Sequence, residues 1–370
     1  MARSGSVRVV APGRVNLIGE HTDYSLFPVL PMAIQRRVVV EADPGDDGIV
    51  TAMSTMFAGA FSSAAQHDPG WAVYLRSALA VIGPHPGARL SIGGDLPATG
   101  GLSSSSALTV AVILALLRLD GREPTGARLI ALAVAAERDV GVEGGTMDQT
   151  VIVRAEADSA LRIDFLPSRV TRVPVPEGVV FIACASGRRA AKGTTERDAY
   201  NARVVGCRTA AGLLGLDPPV LGSYRGSVAD AVTALPEHAE PPDGARELSG
   251  SRFEGAGALP VRAWTRHVLS EARRVDAAQD ALRAGDVAAL GALFDASHRS
   301  LRDDMGVSTR EIEETVAAAR AAGASAARLT GAGFGGWVVA VTTKDRADVV
   351  LENLAARHAA FRVIPSAGAG

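Results

Sequence analysis

The segment Pro97-Ala98-Thr99-Gly100-Gly101-Leu102-Ser103-Ser104-Ser105-Ser106-Ala107 decides how the rest of the chain is read. Its glycines let backbone approach a ligand closely. The serines lead into Ala107–Leu117, an apolar run of good helix formers with no breaker. A helix starting there offers free N–H groups and the positive end of its dipole, and serine is a good N-cap. Serine hydroxyls add donors, or a ligand for Mg²⁺. Together these features describe an anion cradle suited to phosphates. It is not a Walker A loop, because no Gly-Lys-Ser/Thr is present. The same letters also serve a serine-rich cap on a buried helix, and the residues alone leave both readings open.

Upstream, Val7–Val10, Val38–Ala42 and Leu90–Ile92 read as short strands, and Trp71–Ile82 carries apolar residues at helical spacing. Downstream, Leu129–Glu137 reads as a helix, and Val151–Val153 and Ala160–Ile163 read as strands. Pro167–Pro176 holds three prolines and reads as a connection between lobes. The second half repeats the theme. Val179–Ala183 is a strand; Asn201–Leu214, Trp264–Arg283 and Thr309–Ala322 are helices. Strand Ala327–Leu329, the glycine-rich Thr330–Gly336, strand Trp337–Thr342 and helix Arg346–Arg357 close the chain. This irregular mixing predicts an α+β fold, with lobes at 1–170 and 171–370.

Bulk properties narrow the function. The chain has 370 residues, enough for two domains, and 47% are hydrophobic. A net charge of −2 gives no footprint for nucleic acid or a membrane surface. No apolar run approaches the ~18–20 residues that span a bilayer. Cys184 and Cys207 make neither a disulfide framework nor a metal cluster. The expectation is a reduced cytoplasmic protein, monomeric or weakly homo-oligomeric, acting on a small molecule.

Three further clusters carry polar chemistry. Arg14 reads as lying in a loop between apolar strands. Glu20, His21 and Asp23 can accept hydrogen bonds from vicinal hydroxyls, as a sugar site requires, or form a solvated turn. Asp148 reads as a carboxylate between the turn Gly144-Gly145 and an apolar strand, and Glu137 ends a helix upstream. The loop Thr330-Gly331-Ala332-Gly333-Phe334-Gly335-Gly336 permits close backbone approach, to a ligand or simply within a β-turn.

In this order, the segments resemble the GHMP kinase superfamily, and the galactokinase family within it. Gly13-Arg14-Val15-Asn16-Leu17-Ile18-Gly19-Glu20-His21-Thr22-Asp23-Tyr24 resembles the galactokinase signature. Gly101-Leu102-Ser103-Ser104-Ser105-Ser106-Ala107 resembles the superfamily's phosphate loop, and Thr330–Gly336 its third motif. The resemblance runs from about Val9 to Val341. Ala136–Gly141, Met147–Gln149 and Tyr200–Arg208 resemble the branch holding plant galactokinases and animal N-acetylgalactosamine kinase.

The resemblance implies a two-lobed GHMP kinase fold, with an N-terminal lobe like the second domain of ribosomal protein S5 and the site in the cleft. It implies transfer from ATP, with Mg²⁺, to the anomeric hydroxyl of galactose. Asp148 is then the catalytic aspartate with Arg14 beside it. Gly100, Gly101, Leu102, Ser103, Ser104, Ser105 and Ser106 grip phosphates, and Ser105 and Glu137 hold Mg²⁺. Glu20, His21, Asp23, Gly145 and Tyr200 bind the sugar. Trp71 stacks on adenine, or is a core aromatic on an amphipathic helix. Departures lie at Ser25-Leu26-Phe27-Pro28, where Asn-Gly-Gly is usual, and at Thr99, Met305 and Trp337. The rivals are a kinase for another sugar such as N-acetylgalactosamine, and an inactive sugar sensor. A superfamily decarboxylase is disfavoured by the sugar-type Glu20–Asp23.

Overall fold

A computed structural model describes residues 5–98, 100–188, 194–242 and 257–370. Thr99 lies outside these. The first part of the chain gives strands β1 (Val7–Asn16), β2 (Pro31–Pro44), β3 (Val50–Ser54) and β4 (Phe61–Ser62), helix α1 (Val73–Ile82) and strand β5 (Ala88–Gly94). Helices α2 (Ser104–Leu119), α3 (Gly126–Asp139) and α4 (Met147–Arg154) follow, then the hairpin β6 (Ser159–Phe165) and β7 (Ser168–Pro174). The second part gives β8 (Val179–Ala185), α5 (Thr194–Leu213), α6 (Val228–Ala234), α7 (Val261–Ala284), α8 (Val287–Asp303) and α9 (Arg310–Ala321). Strands β9 (Ala326–Thr330) and β10 (Trp337–Thr343), helix α10 (Ala347–Ala355) and strand β11 (Ala360–Val363) complete it.

The strands form a five-stranded sheet ordered β1-β2-β5-β3-β4 and a four-stranded sheet ordered β11-β8-β10-β9. Helix α2 is buried on nearly every side, from Ser106 through Leu117, so it forms the middle of the first part rather than its surface. Strands β8, β10 and β9 of the four-stranded sheet are buried on both faces. Along β8, Val179, Phe181 and Ala183 join the larger core, and Val180, Ile182 and Cys184 join the other. A strand's side chains alternate between faces, so two buried faces demand an unbroken apolar run, which is what Val179–Ala183 supplies.

Four readings from the sequence need correction. Val151-Ile152-Val153 lies in helix α4, not a strand. Ile152 packs into the core that holds α2 and α3, Met147 and Val151 pack with Val29, Ala33, Leu161 and Ile163, and this tertiary packing overrides the β preference of the branched side chains. Asp148 therefore sits in the first turn of a helix. Pro167–Pro176 is mostly strand β7, with Pro167 before it and Pro174 ending it. Arg14 is in strand β1, just past a bulge between Pro12 and Arg14, and not in a loop. Helices α6 and α8 and strands β3, β4 and β11 are not read from the sequence.

The bulge positions the site. A Cβ on Gly13 would lie 2.3 Å from Leu96 Cδ1 and 2.9 Å from the Leu102 carbonyl oxygen. Without one, the Arg14 amide donates to the Leu102 oxygen at 3.1 Å, which docks the serine loop on β1.

Candidate active site

Arg14 and Asp148 form a bidentate pair. Nε donates to Oδ1 at 2.8 Å and Nη2 to Oδ2 at 2.9 Å, while Nη1 donates to the Gly101 oxygen at 2.5 Å. The guanidinium is 5% exposed and the carboxylate 25%, so the acid faces the cavity and the cation backs it. The first turn of α4 suits a carboxylate, because the helix dipole is positive there. The Ser103 hydroxyl donates to Asp148 Oδ2. Serine is read from the sequence as a helix cap, but Ser103 makes no cap bond to α2. Its backbone lies at φ 57°, a left-handed conformation that costs a non-glycine residue roughly 1–2 kcal/mol.

Asp23 packs on Gly145. A Cβ there would fall 2.2 Å from Asp23 Oδ2, so glycine is what lets the carboxylate in. Burial, and then the nearby Asp148 charge, push the Asp23 pKa up to about 6. The folded state thus holds this proton more tightly than the unfolded chain, whose value is near 3.8. The ionisation penalty is absent below pH 3.8, grows between 3.8 and 6, and is fully present above 6. Asp23→Asn is therefore expected to raise the melting temperature relative to wild type more at pH 7.5 than at pH 5. An equal shift at both values would contradict it.

His21 is neutral. Burial first, and then the Arg203 charge, push its pKa down to about 3. Nε2 faces the Ala332 carbonyl oxygen at 3.1 Å, which can only accept, so Nε2 carries the proton. Nδ1 then accepts from the Tyr24 hydroxyl at 3.1 Å. The imidazole also meets the Tyr200 ring at 5.5 Å between centroids.

Glu20 is held from the far end of the chain. The Arg328 Nη2 donates to its Oε2, and the Gly331 amide donates to Oε1 at 3.2 Å. Arg328 is fully buried, and its Nη1 also donates to the Leu17 oxygen at 2.8 Å. Glu271 Oε1 lies 3.8 Å from Arg328 and accepts from the Gly19 amide at 3.0 Å. Burial alone would raise the Glu271 pKa, but Arg274, His267, Arg328 and Ser297 pull it down to about 2. Burial pushes Glu20 up, against Arg328. Sequence reading misses Arg328 and Glu271. The available signal is one arginine inside the apolar run Ala326-Ala327-Arg328-Leu329, since a charge in a buried strand needs a partner.

The two glycine loops interlock. A Cβ on Gly336 would lie 2.4 Å from the Gly100 oxygen, and one on Gly331 would lie 3.0 Å from Gly101 Cα. Both glycines have positive φ, at 89° and 88°. The loop Thr330–Gly336 is thus the packing surface for the serine loop. Trp337 packs against Gly101 and is buried, edge-on to Phe361 at 5.4 Å.

These elements enclose one cavity of about 220 Å³. Every site residue read from the sequence lines it except Leu102 and Trp71. Leu102 contributes its backbone and buries its side chain. Trp71 stacks on Phe57 at 5.6 Å and donates Nε1 to the Ala58 oxygen at 2.8 Å; Tyr74 is the aromatic of α1 that reaches the cavity. Residues 25–28 do not line it, and instead approach the Leu221–Ser223 turn through Gly222. Ser105 and Glu137 line the same cavity, offering one hydroxyl and one carboxylate. Such a sparse oxygen set suits Mg²⁺, which takes few protein ligands beside substrate phosphates and water. Among the described residues no cluster of three acidic, histidine or cysteine side chains could cage a metal alone, and no helix is long and apolar enough to cross a membrane.

The chain resembles known proteins over most of its length. The galactokinase galactose-binding signature matches residues 2–44. The GHMP kinase N-terminal and C-terminal domains match residues 71–156 and 278–360. A galactokinase of Chloroflexus aggregans is 39% identical over 94% of this chain and 87% of its own. A galactokinase of Mycobacterium tuberculosis is 36% identical over 93% of this chain and 91% of its own. The structure of Lactococcus lactis galactokinase complexed with galactose superposes with a TM-score of 0.83 and 26% identity, over 99% of this chain and 95% of that one. Methanococcus jannaschii mevalonate kinase shares the fold, with a TM-score of 0.66 and 15% identity over 98% and 99%.

Proposed function

The chain belongs to the galactokinase family of GHMP kinases, and from that premise we propose that it transfers the γ-phosphoryl group of ATP to the anomeric hydroxyl of galactose. The observation that carries this reading is the Arg14–Asp148 pair beside the serine loop in a single cavity. In the proposal the lobes are 1–170 and 171–370, and the reaction runs in the cytoplasm, in keeping with two buried thiols left unbridged.

Phosphoryl transfer asks a protein mainly for positioning and charge neutralisation. Backbone N–H groups of Gly100–Ser106 and the start of α2 receive the ATP phosphates. Asp148 accepts the proton of the attacking C1 hydroxyl. Arg14 holds that carboxylate in place with two hydrogen bonds and offsets charge on the phosphoryl group. Ser105 and Glu137 are the residues that would hold Mg²⁺, whose bound charge neutralises the phosphate oxygens. Asp23, Gly145, Tyr200, His21 and Glu20 form the sugar side; the last two have side chains already fixed by Ala332 and Arg328.

Gly145 supports galactose over N-acetylgalactosamine. A glycine leaves room for a larger substituent when nothing else occupies the space of its missing side chain. At Gly145 the Asp23 carboxylate fills that volume, so the glycine does not widen the cavity. Gly145→Ala should displace Asp23 and raise the galactose KM by roughly 10–100-fold, the loss of a hydrogen bond to a charged group. The ATP KM should stay near wild type; equal rises in both would place the damage elsewhere.

The test of the function is ADP release with Mg·ATP against galactose, N-acetylgalactosamine, 2-deoxygalactose and glucose. Turnover highest on galactose is expected. Highest turnover on N-acetylgalactosamine would reassign the substrate, and binding without turnover on any sugar would favour a sensor.

A further inference from the structure

We propose that Ser103 is a positioning residue whose hydroxyl holds Asp148, and is not a ligand of the nucleotide phosphates. The inference rests on the reading of Asp148 as proton acceptor. A serine at the N-cap ordinarily accepts a hydrogen bond from the first turn of its helix. Ser103 does not, and its backbone takes a left-handed conformation that glycine adopts without cost. Two local preferences are thus set aside at one residue, and the contact made instead is Oγ to Asp148 Oδ2.

The chemistry of the hydroxyl then excludes the phosphate role. A hydroxyl has one proton to donate. Given to Asp148, it leaves Oγ only lone pairs, and phosphate oxygens are acceptors as well. Binding of phosphates falls to the backbone N–H groups and the three serines that follow. Asp148, in turn, is fixed from two independent elements. Strand β1 supplies Nε and Nη2 of Arg14, and the loop before α2 supplies Ser103. Arg14 alone leaves the carboxylate free to pivot about the guanidinium plane; a donor from the adjacent loop removes that freedom. Misplacing a reacting group by about an ångström can cost on the order of 10²-fold in rate.

Steady-state kinetics and thermal melting of Ser103→Ala, Ser103→Gly, Asp148→Asn and the Ser103→Gly/Asp148→Asn double variant test this. Both Ser103 variants should lose roughly 10–100-fold in kcat, with KM for galactose and Mg·ATP within about two-fold of wild type. Ser103→Gly, which relieves the backbone, should melt no lower than wild type. Placed on Asp148→Asn, it should cost nothing further. A raised Mg·ATP KM with kcat preserved would overturn the proposal in favour of a phosphate ligand. Wild-type kinetics in Ser103→Gly would show that the hydroxyl does nothing and sink this inference alone, provided Asp148→Asn is silent. Wild-type turnover in Asp148→Asn would sink the reading of Asp148, and this one with it.

Discussion

Asp148→Asn is expected to lower kcat on galactose by roughly 10²–10⁴-fold, the range that a positioned proton acceptor supplies, with KM values little changed. Asparagine is the informative replacement. It keeps the shape of the side chain and an oxygen for Arg14, but it cannot take a proton from a sugar hydroxyl. Alanine would also strand the Arg14 guanidinium, which is 5% exposed. Breaking a buried pair by removing one partner costs about 3–5 kcal/mol, so an inactive alanine variant could be a damaged fold. The carboxylate's 25% exposure and the remaining bond from Arg14 to the Gly101 oxygen both soften that cost for asparagine. Turnover near wild type in a well-folded Asp148→Asn protein would remove Asp148 from the chemistry. Loss of cooperative melting would instead mean that the pair is chiefly structural.

Arg328→Met should have the largest effect on stability, about 3–5 kcal/mol. The argument is one of charge without water. Arg328 and Glu20 are both fully buried at the side chain, and Glu271 lies on the other side of the same guanidinium. Methionine fills much of the volume but leaves Glu20 without its cation and the Leu17 oxygen without its donor. Urea unfolding at constant m-value reads the loss directly. The double variant Arg328→Met/Glu20→Gln should lose less than the two single losses added, because it removes the stranded charge. Additive losses would mean that the two side chains do not act as a pair.

The sequence showed more of the chemistry than of its framework. Strands β8 and β10 were legible because two buried faces require continuous branched apolar runs, whereas β11, a half-exposed edge strand, carries no such run. The same cue misled at Val151-Ile152-Val153, where Val151 and Ile152 pack into two different cores from one helix and local preference lost. The prolines around β7 looked like a linker because they punctuate both ends of the strand. At the site, the serine loop and the glycine loop each suggested close approach, but not that each is the other's packing surface. Residues such as Arg14 and Asp148 acquired roles only through resemblance, since 134 residues separate them. Arg328, 308 residues from Glu20, had no local partner to reveal it. Trp71 had two readings, and its stacking on Phe57 places the ring outside the cavity lining.

The last residues return to the first sheet. Val10 and Gly370 exchange both backbone hydrogen bonds, at 2.9 and 3.1 Å, and the amides of Gly368 and Ala369 donate to the oxygens of Ala155 and Ile152 at the end of α4. During synthesis on the ribosome, β1 and α4 emerge long before residues 368–370. At about 5–20 residues per second, the wait is roughly 10–40 s. Through that interval the nascent chain carries an unfinished sheet edge beside the segment that bears Asp148, so the first half cannot be sealed until residues 368–370 have left the ribosome.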